Sequence, residues 1–281
     1  PLQIIGGFFL HLHHLHFTFY LESSIIIYRI FILKQYAGCI VKRFFEVISI
    51  YTWLSQTIQA EYEEIALLKE SPRGSVRSIR HKATGRQFIL RRFAGNPEVY
   101  QKLLEVSCPN LPAVYEVAVG ETDNLVLEEF IQGDTLGFLL GESLFTPEET
   151  RRIVKQICRG LWVLHSLTAV HRDIKPENVI LRGSDAILID FDAARLHKET
   201  HDTDTQILGT TGFAAPEQYG LSQSDLRTDI YSLGILINVM LTGEHPSKKQ
   251  AEGKLGRVVE RCTHVNPEKR YKNVLRLMEE L

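Results

Sequence analysis

Strand-like segments come first in the main part of this chain, and helix-like segments follow them. Residues 87–93, 113–119 and 125–131 are apolar stretches separated by Gly, Pro, Asn and Asp, as in the strands of a small sheet. A short helix is predicted after the first strand, with Asn96 as its cap and Pro97 at its start, and it is expected to run toward Val106. This order predicts an α+β fold in which a small β-rich lobe precedes a larger helical lobe, with a cleft between them.

The helical half of the chain opens with a strong helix start. Thr146 is a suitable N-cap, Pro147 fits the first helical position, and Glu149 can complete a capping box. Isoleucine and leucine then recur at helical spacing as far as Leu164, which predicts one long helix with a buried face. Two further elements are predicted later in the chain: a strand over residues 186–189 and an apolar helix over residues 229–241.

Residues 1–55 differ in composition from the rest of the chain. They are rich in Ile, Phe, Leu and His, contain little charge and do not begin with Met. The apolar run over residues 10–33 approaches the length of a membrane span, but Glu22 and Arg29 interrupt it. The histidines between positions 11 and 16 lack the carboxylate or thiol partners of a typical metal site. We therefore expect residues 1–55 to be a mis-assigned upstream extension, and residues 56–281 to form the functional domain.

The charge balance and the cysteines exclude several classes of protein. The net charge is −2, from 32 basic and 34 acidic residues, so the chain lacks the basic surplus typical of nucleic-acid binding. The four cysteines are far apart and form no Cys-x-x-Cys pair, which argues against a zinc site and a disulfide framework. We expect a cytoplasmic protein with no nucleic-acid partner, tethered to a membrane only if residues 10–33 are genuine and insert.

The most specific motif is the run HRDIKPEN at residues 171–178. It matches His-Arg-Asp-x-x-x-x-Asn without a break and resembles the catalytic loop of protein kinases, and Lys175 favours the serine/threonine branch. The resemblance implies transfer of the γ-phosphate of ATP, with Mg²⁺, to a Ser or Thr hydroxyl of a protein. It implies that Asp173 orients and deprotonates that hydroxyl, that Lys175 contacts the transferring phosphate, and that Asn178 binds a second magnesium ion.

Three further segments resemble the same family and occur in its order. The tripeptide 190–192, Asp-Phe-Asp, stands where the family has Asp-Phe-Gly, which implies that Asp190 binds magnesium. The tripeptide 215–217 reads Ala-Pro-Glu, and Thr210 matches the Thr that bonds the catalytic Asp and Lys in serine/threonine kinases. Structural roles are implied for three residues: Asp229 as a brace of the catalytic loop, and Glu217 and Arg270 as a pair.

The resemblance covers about residues 62–281. It implies the two-lobed protein-kinase fold, with a β-rich lobe over about 62–131, a hinge at about 132–133 and a helical lobe over 134–281. The segment Pro-Glu-Gln-Tyr at residues 216–219 resembles bacterial members of the family.

The positions that face ATP in the family depart from its pattern. The glycine-rich loop is represented by Lys69, Ser71, Gly74 and Val76, so one of its three glycines remains. Arg91 stands where the family has its strand lysine, and Arg is a planar fork where Lys carries a compact point charge. The resemblance nevertheless implies that five residues contact ATP: Gly74, Val76, Arg91, Glu129 and Ile180.

The partners of Arg91 are also unusual. Glu98 is one residue out of register with the glutamate that pairs with the strand lysine in the family. Glu128 falls at the back of the predicted ATP pocket, where a buried carboxylate needs a partner, so we hypothesise that it pairs with Arg91. The alternatives are that Glu129 takes this position or that Glu128 reaches solvent. Asp192 either tolerates the backbone of the Gly it replaces or adds an anion near magnesium.

The segment between Asp192 and Gly209 has two possible interpretations. Family members with an Arg at position 172 often use it to hold a phosphorylated loop, which makes Thr203 and Thr205 candidate phosphosites. The alternative is that this segment is a polar loop without phosphosites.

The leading function is an active protein serine/threonine kinase, and the alternative is a pseudokinase scaffold with weak or no catalysis. A small-molecule kinase of the aminoglycoside type is disfavoured, because Lys175, Thr210 and the Ala-Pro-Glu segment suit a peptide-binding lobe.

Overall fold

The computed structural model describes residues 50–197, 212–219 and 225–281. The compact unit that they form starts at Ile50. The histidine cluster, the apolar run 10–33, Thr203, Thr205 and Thr210 lie outside the described residues. Within the described part, no helix has the length and apolar character needed to cross a membrane.

An antiparallel sheet of five strands forms the first lobe, in the order β1-β2-β3-β5-β4. The strands are β1 (Tyr62–Ser71), β2 (Gly74–His81), β3 (Gln87–Phe93), β4 (Val114–Val119) and β5 (Asn124–Glu129). The three strands predicted from the sequence are therefore confirmed to within two residues at each end. In the β3–β5 pair Arg91 lies opposite Val126, so Glu128 is its diagonal neighbour on the same face.

Two short helices flank this sheet. Helix α1 (Ile50–Glu61) packs on β4 and β5 through the buried Leu54, and the boundary expected between residues 55 and 56 falls inside it. Helix α2 (Glu98–Leu103) begins one residue after the predicted start, with Pro97 at the N-cap position, and Oδ1 of Asn96 accepts a hydrogen bond from the backbone N–H of Glu98 at 2.8 Å. It is shorter than predicted and ends at Leu103.

The second lobe is mainly helical. Its helices are α3 (Leu136–Leu140), α4 (Pro147–Ser166), α5 (Leu226–Thr242), α6 (Gly253–Cys262) and α7 (Val274–Glu280). The predicted capping box opens α4, since Thr146 accepts from the N–H of Glu149 and donates its own N–H to the Glu149 carboxylate. Gly243 closes α5 in the left-handed conformation, with φ 73°. The order of a sheet followed by helices matches the predicted α+β, two-lobed fold.

Short strands in the helical lobe flank the polar residues of the cleft. They are β6 (Asp134–Thr135), β7 (Ala169–Val170), β8 (Val179–Arg182), β9 (Asp185–Leu188) and β10 (Arg195–Leu196). In the β8–β9 hairpin Val179 lies opposite Leu188, and the N–H of Ile189 donates to the carbonyl oxygen of Asn178 at 2.9 Å. The hairpin therefore brings Asn178, which precedes β8, close to Asp190, which follows β9.

Candidate active site

One buried carboxylate bonds the backbone of the segment 171–173. Asp229, on α5, accepts the backbone N–H of His171 at 2.9 Å and that of Arg172 at 2.8 Å, and Nε2 of His165 lies 2.8 Å from its Oδ2. Burial would raise the pKa of Asp229, but the hydrogen bond from His165 and the other stabilising contacts of the carboxylate together outweigh it, and the pKa is lowered. A charged Asp229 thus fixes the loop in the conformation where Arg172 has φ 69°. The brace expected from the sequence is present.

Three of the four predicted catalytic residues meet on this loop. Nζ of Lys175 donates to Oδ2 of Asp173 at 2.8 Å. The Asn178 side chain donates from Nδ2 to the same oxygen at 3.0 Å and to the backbone carbonyl of Asp173 at 2.8 Å. A 3₁₀ turn over Pro176–Asn178 curls the chain back so that these contacts form. The fourth residue, Thr210, lies outside the described residues.

Asp190 stands beside this group as a charged carboxylate. Its Oδ1 accepts from Nη1 of Arg91 at 3.1 Å, and its Oδ2 accepts from Nζ of Lys69 at 3.1 Å. Burial would raise the pKa of Asp190, but Arg91 and Lys69 outweigh that effect and lower the pKa to about 2. Its backbone has φ 69°, an uncommon value for a residue other than glycine.

These residues fit magnesium that is bound together with phosphates. In the described ranges no three His, Cys, Asp or Glu side chains are grouped so that they could hold a metal ion alone. Magnesium is usually held by one or two carboxylates plus substrate phosphates and water. The carboxylate of Asp190 and the carboxamide oxygen of the adjacent Asn178 are donors of the kind that such a site needs.

Arg91 and Glu128 form the buried pair hypothesised from the sequence. Nε of Arg91 donates to Oε1 of Glu128 at 2.8 Å, and the two side chains are 5% and 4% exposed. The alternatives are wrong: Glu128 does not reach solvent, and Glu129 instead contacts Nη1 of Arg182 at 2.8 Å and the N–H of Ala113 at 3.2 Å. Burial raises the pKa of Glu128 while Arg91 opposes that shift.

Tyr100, which had no predicted role, joins this network from helix α2. Its hydroxyl donates to Oδ1 of Asp192 at 3.0 Å and accepts from the N–H of Phe191 at 3.2 Å, while its ring lies 5.8 Å from the Arg91 guanidinium carbon. Burial raises the pKa of Tyr100 well above its usual value, so the hydroxyl keeps its proton and can donate. Protein kinases usually place a glutamate on this helix to pair with the strand lysine.

The carboxyl group of Asp192 lies close to that of Asp190, since both accept from Nη1 of Arg91. Its Oδ2 accepts from Nη1 of Arg91 at 2.9 Å. Burial raises the pKa of Asp192, and the attraction of Arg91 opposes that shift. Of the two possibilities open for this residue, the added anion is the one with a contact in the structure.

A cavity of about 490 Å³ opens between the two lobes, within the usual size range of small-molecule sites. Gly74 and Val76 line it from the sheet, and Asp173, Asp190 and Asp192 line it from the helical lobe. Three predicted ATP contacts are not among the described residues that line it: Arg91, Glu129 and Ile180. ATP contacts at these three positions stay predictions.

Comparison with known proteins matches residues 68–279 to the model of the protein kinase domain. This chain belongs to the bacterial-type serine/threonine protein kinase family. It is 28% identical over 217 residues to serine/threonine-protein kinase PknA of Nostoc sp.. This alignment covers 74% of this chain and 37% of that protein. It is 29% identical over 247 residues to serine/threonine-protein kinase D of Synechocystis sp., covering 78% of this chain and 46% of that protein. The chain thus spans less than half the length of these curated relatives.

A tight turn replaces the glycine-rich loop in this kinase domain. Strands β1 and β2 pair down to Ser71 opposite Gly74, and the turn between them holds two residues. Gly74 has φ 151°, and a Cβ there would collide with the carbonyl oxygen of Arg92 on β3. Gly74 is therefore required by the close approach of two strands, whether or not it also contacts ATP.

The kinase domain also contains the structural pair expected in its helical lobe. Nη1 and Nη2 of Arg270 donate to the two carboxylate oxygens of Glu217 at 2.6 and 2.9 Å. Next to Glu217, the Gln218 side chain donates to the backbone carbonyl of Arg172 at 2.8 Å. The Ala-Pro-Glu segment is in this way connected to the loop that carries Asp173.

Proposed function

We propose that this chain transfers the γ-phosphate of ATP to Ser or Thr hydroxyls of a protein substrate. The observation that carries the proposal is the bonding of Asp173 to both Lys175 and Asn178, on a loop braced by Asp229. Asp173 and Asp190 line the same cavity, so a nucleotide held there would have its phosphates next to both carboxylates. Membership of the serine/threonine kinase family supports the same reaction.

Each proposed role follows from a group's charge and position. Asp173 accepts the proton of the substrate hydroxyl while the hydroxyl oxygen bonds to the γ-phosphorus of ATP. The bond between the γ-phosphorus and the oxygen that bridges it to the β-phosphate breaks, and ADP is released. Lys175, 2.8 Å from Asp173, attracts the migrating phosphoryl group towards that hydroxyl. Asp190 and Asn178 would hold magnesium. Bound Mg²⁺ neutralises the charge that develops on the phosphates.

A catalytically weak scaffold is the second candidate, and a specific observation favours it. Asp190, the proposed magnesium ligand, is already paired with Arg91 and Lys69. Lys69 and Arg91 compete with a metal ion for the Asp190 carboxylate, because a cation bound there would lie close to two positive charges and be repelled by them. A scaffold of this kind would bind a nucleotide or a protein without transferring phosphate.

Phosphate transfer by the full chain distinguishes the two candidates. The chain of residues 1–281 is incubated with radiolabelled ATP, magnesium and a generic protein substrate, beside Asp173→Asn and Asp185→Asn. Asp185 is exposed on β9, so its variant is a matched control for loss of a carboxylate. We expect labelling by the unsubstituted chain and the control, and a loss of about 10²- to 10⁴-fold with Asp173→Asn. Equal labelling by all three chains, or none by any, would contradict transfer by this loop.

A further inference from the structure

Four basic residues line the cavity: Lys69, Arg73, Arg92 and Arg195. Among the described contacts, Lys69 is the one of these four that reaches Asp190, with Nζ at 3.1 Å from Oδ2. Its side chain is 56% exposed, whereas the Asp190 side chain is 12% exposed. Arg92 is bonded to Asp123. Lys69 thus extends from β1 to the carboxylate proposed to bind magnesium, and both residues line the cavity.

Arg91 stands at the position of the family's strand lysine, but its guanidinium is bonded to carboxylates. Its Nε donates to Glu128, and its Nη1 donates to both Asp190 and Asp192. These bonds use three of the five N–H donors of the guanidinium. If Arg91 moved to a phosphate, two buried carboxylates and the partly exposed Asp192 would lose their shared cation, which is costly for the buried pair.

We propose that Lys69 binds the phosphates of ATP, and that Arg91 is a positioning residue that holds Asp190 and Asp192. The inference rests on the proposed use of ATP and assigns the phosphate-binding cation to β1, at the first position of the altered glycine-rich segment. An ammonium group on a flexible four-carbon stem can move between Asp190 and a phosphate. Breaking its present pair costs little because Lys69 is largely solvated, and Asp190 keeps Arg91 as a partner.

A comparison of ATP with adenosine tests this role by binding alone. Dissociation constants are measured for the full chain by titration calorimetry, with magnesium present, for ATP and for adenosine, which has no phosphates. We expect Lys69→Met to weaken ATP binding about tenfold or more, since a charge-assisted bond is lost, and to leave adenosine binding within about twofold. Lys69→Arg keeps the charge and should recover part of the loss. Lys102→Met, at an exposed position on α2, is the matched control and should bind like the unsubstituted chain.

Four results would overturn the inference, and they separate it from the proposed function. If the unsubstituted chain binds ATP and Lys69→Met binds it equally well, Lys69 is not the phosphate ligand and the proposed function still stands. The same holds if Lys69→Met weakens ATP and adenosine equally, which indicates a purely structural role. It holds too if Arg73→Met alone causes the selective loss for ATP. If the unsubstituted chain binds no ATP, the proposed function fails and the inference fails with it.

Discussion

Arg91 and Glu128 form a buried ion pair across two neighbouring strands of the sheet. Their Nε and Oε1 atoms are 2.8 Å apart, and the residues are diagonal neighbours in the β3–β5 pair. Arg91 also bonds Asp190 and Asp192, so one guanidinium holds three carboxylates from two lobes. The pair therefore couples the strand that usually carries the catalytic lysine to the proposed magnesium ligand.

Removing Arg91 should lower the free energy of unfolding more than replacing Glu128 does. Arg91→Met leaves two buried carboxylates and the partly exposed Asp192 without their shared cation, and we expect the free energy of unfolding to fall by about 3–5 kcal/mol. Glu128→Gln keeps size and a hydrogen-bond acceptor, and we expect a loss of about 1–2 kcal/mol. Urea unfolding followed by circular dichroism measures both, and Arg91→Met combined with Glu128→Gln should cost less than the sum of the single changes. Strict additivity would show that the two side chains are not coupled.

Tyr100 should stabilise the segment 190–192 through its hydroxyl. Tyr100→Phe keeps the buried ring but leaves the N–H of Phe191 and the Asp192 carboxylate short of a partner, so we expect a loss of about 1–2 kcal/mol. Tyr115→Phe is the matched control, because its hydroxyl bonds Arg86 at an exposed site, and it should cost less. Thermal unfolding monitored by calorimetry compares the two variants. Equal losses in both would argue against a special role for Tyr100.

The Glu217–Arg270 pair should contribute far more to stability than an exposed pair of the same type. Arg270→Met leaves the buried Glu217 carboxylate without its bidentate partner, and we expect a loss of about 3–5 kcal/mol. Arg276→Met breaks an exposed pair with Glu279 and should change the unfolding midpoint little. Urea midpoints measured side by side compare the two variants. Similar midpoints for both would contradict this assignment.

The sequence predicted those parts of the site whose residues are close along the chain or belong to a specific motif. Asp173, Lys175 and Asn178 lie within six residues, so their contact follows from one loop conformation. The Arg91–Glu128 pair was also predictable, because a charged residue at a buried strand position needs a partner of opposite sign. In each case a local pattern or an electrostatic requirement determined the outcome.

The sequence did not predict contacts that depend on how separate elements pack. The role of Tyr100 depends on the rotation of α2, a helix of six residues that is too short for a clear periodic pattern. Helix α1 was missed because it borders the apolar segment before it, and of its residues only Leu54 is buried. The Lys69–Asp190 contact joins residues 121 positions apart, which no local pattern specifies.

The charge on Asp229 should make the stability of the domain depend on pH in the acid range. The folded-state pKa of Asp229 is below its ordinary value of 3.8, so the charge stabilises the fold above about pH 4. This contribution is lost as the pH falls through the folded-state pKa. Asp229→Asn replaces one carboxylate oxygen by an amide that cannot accept, which leaves a backbone N–H of the loop unpaired. At pH 7 we expect a loss of about 1–3 kcal/mol.

The pH dependence separates this effect from a simple change of shape at position 229. Urea unfolding at several values between pH 7 and about pH 3 should show the difference between the unsubstituted chain and Asp229→Asn shrinking below about pH 4. The unsubstituted chain then loses the charge that the variant never had, so the two stabilities converge. Asp185→Asn, at the exposed end of β9, is the control and should parallel the unsubstituted chain. A difference that stays constant down to about pH 3 would mean that the charge of Asp229 does not stabilise the loop.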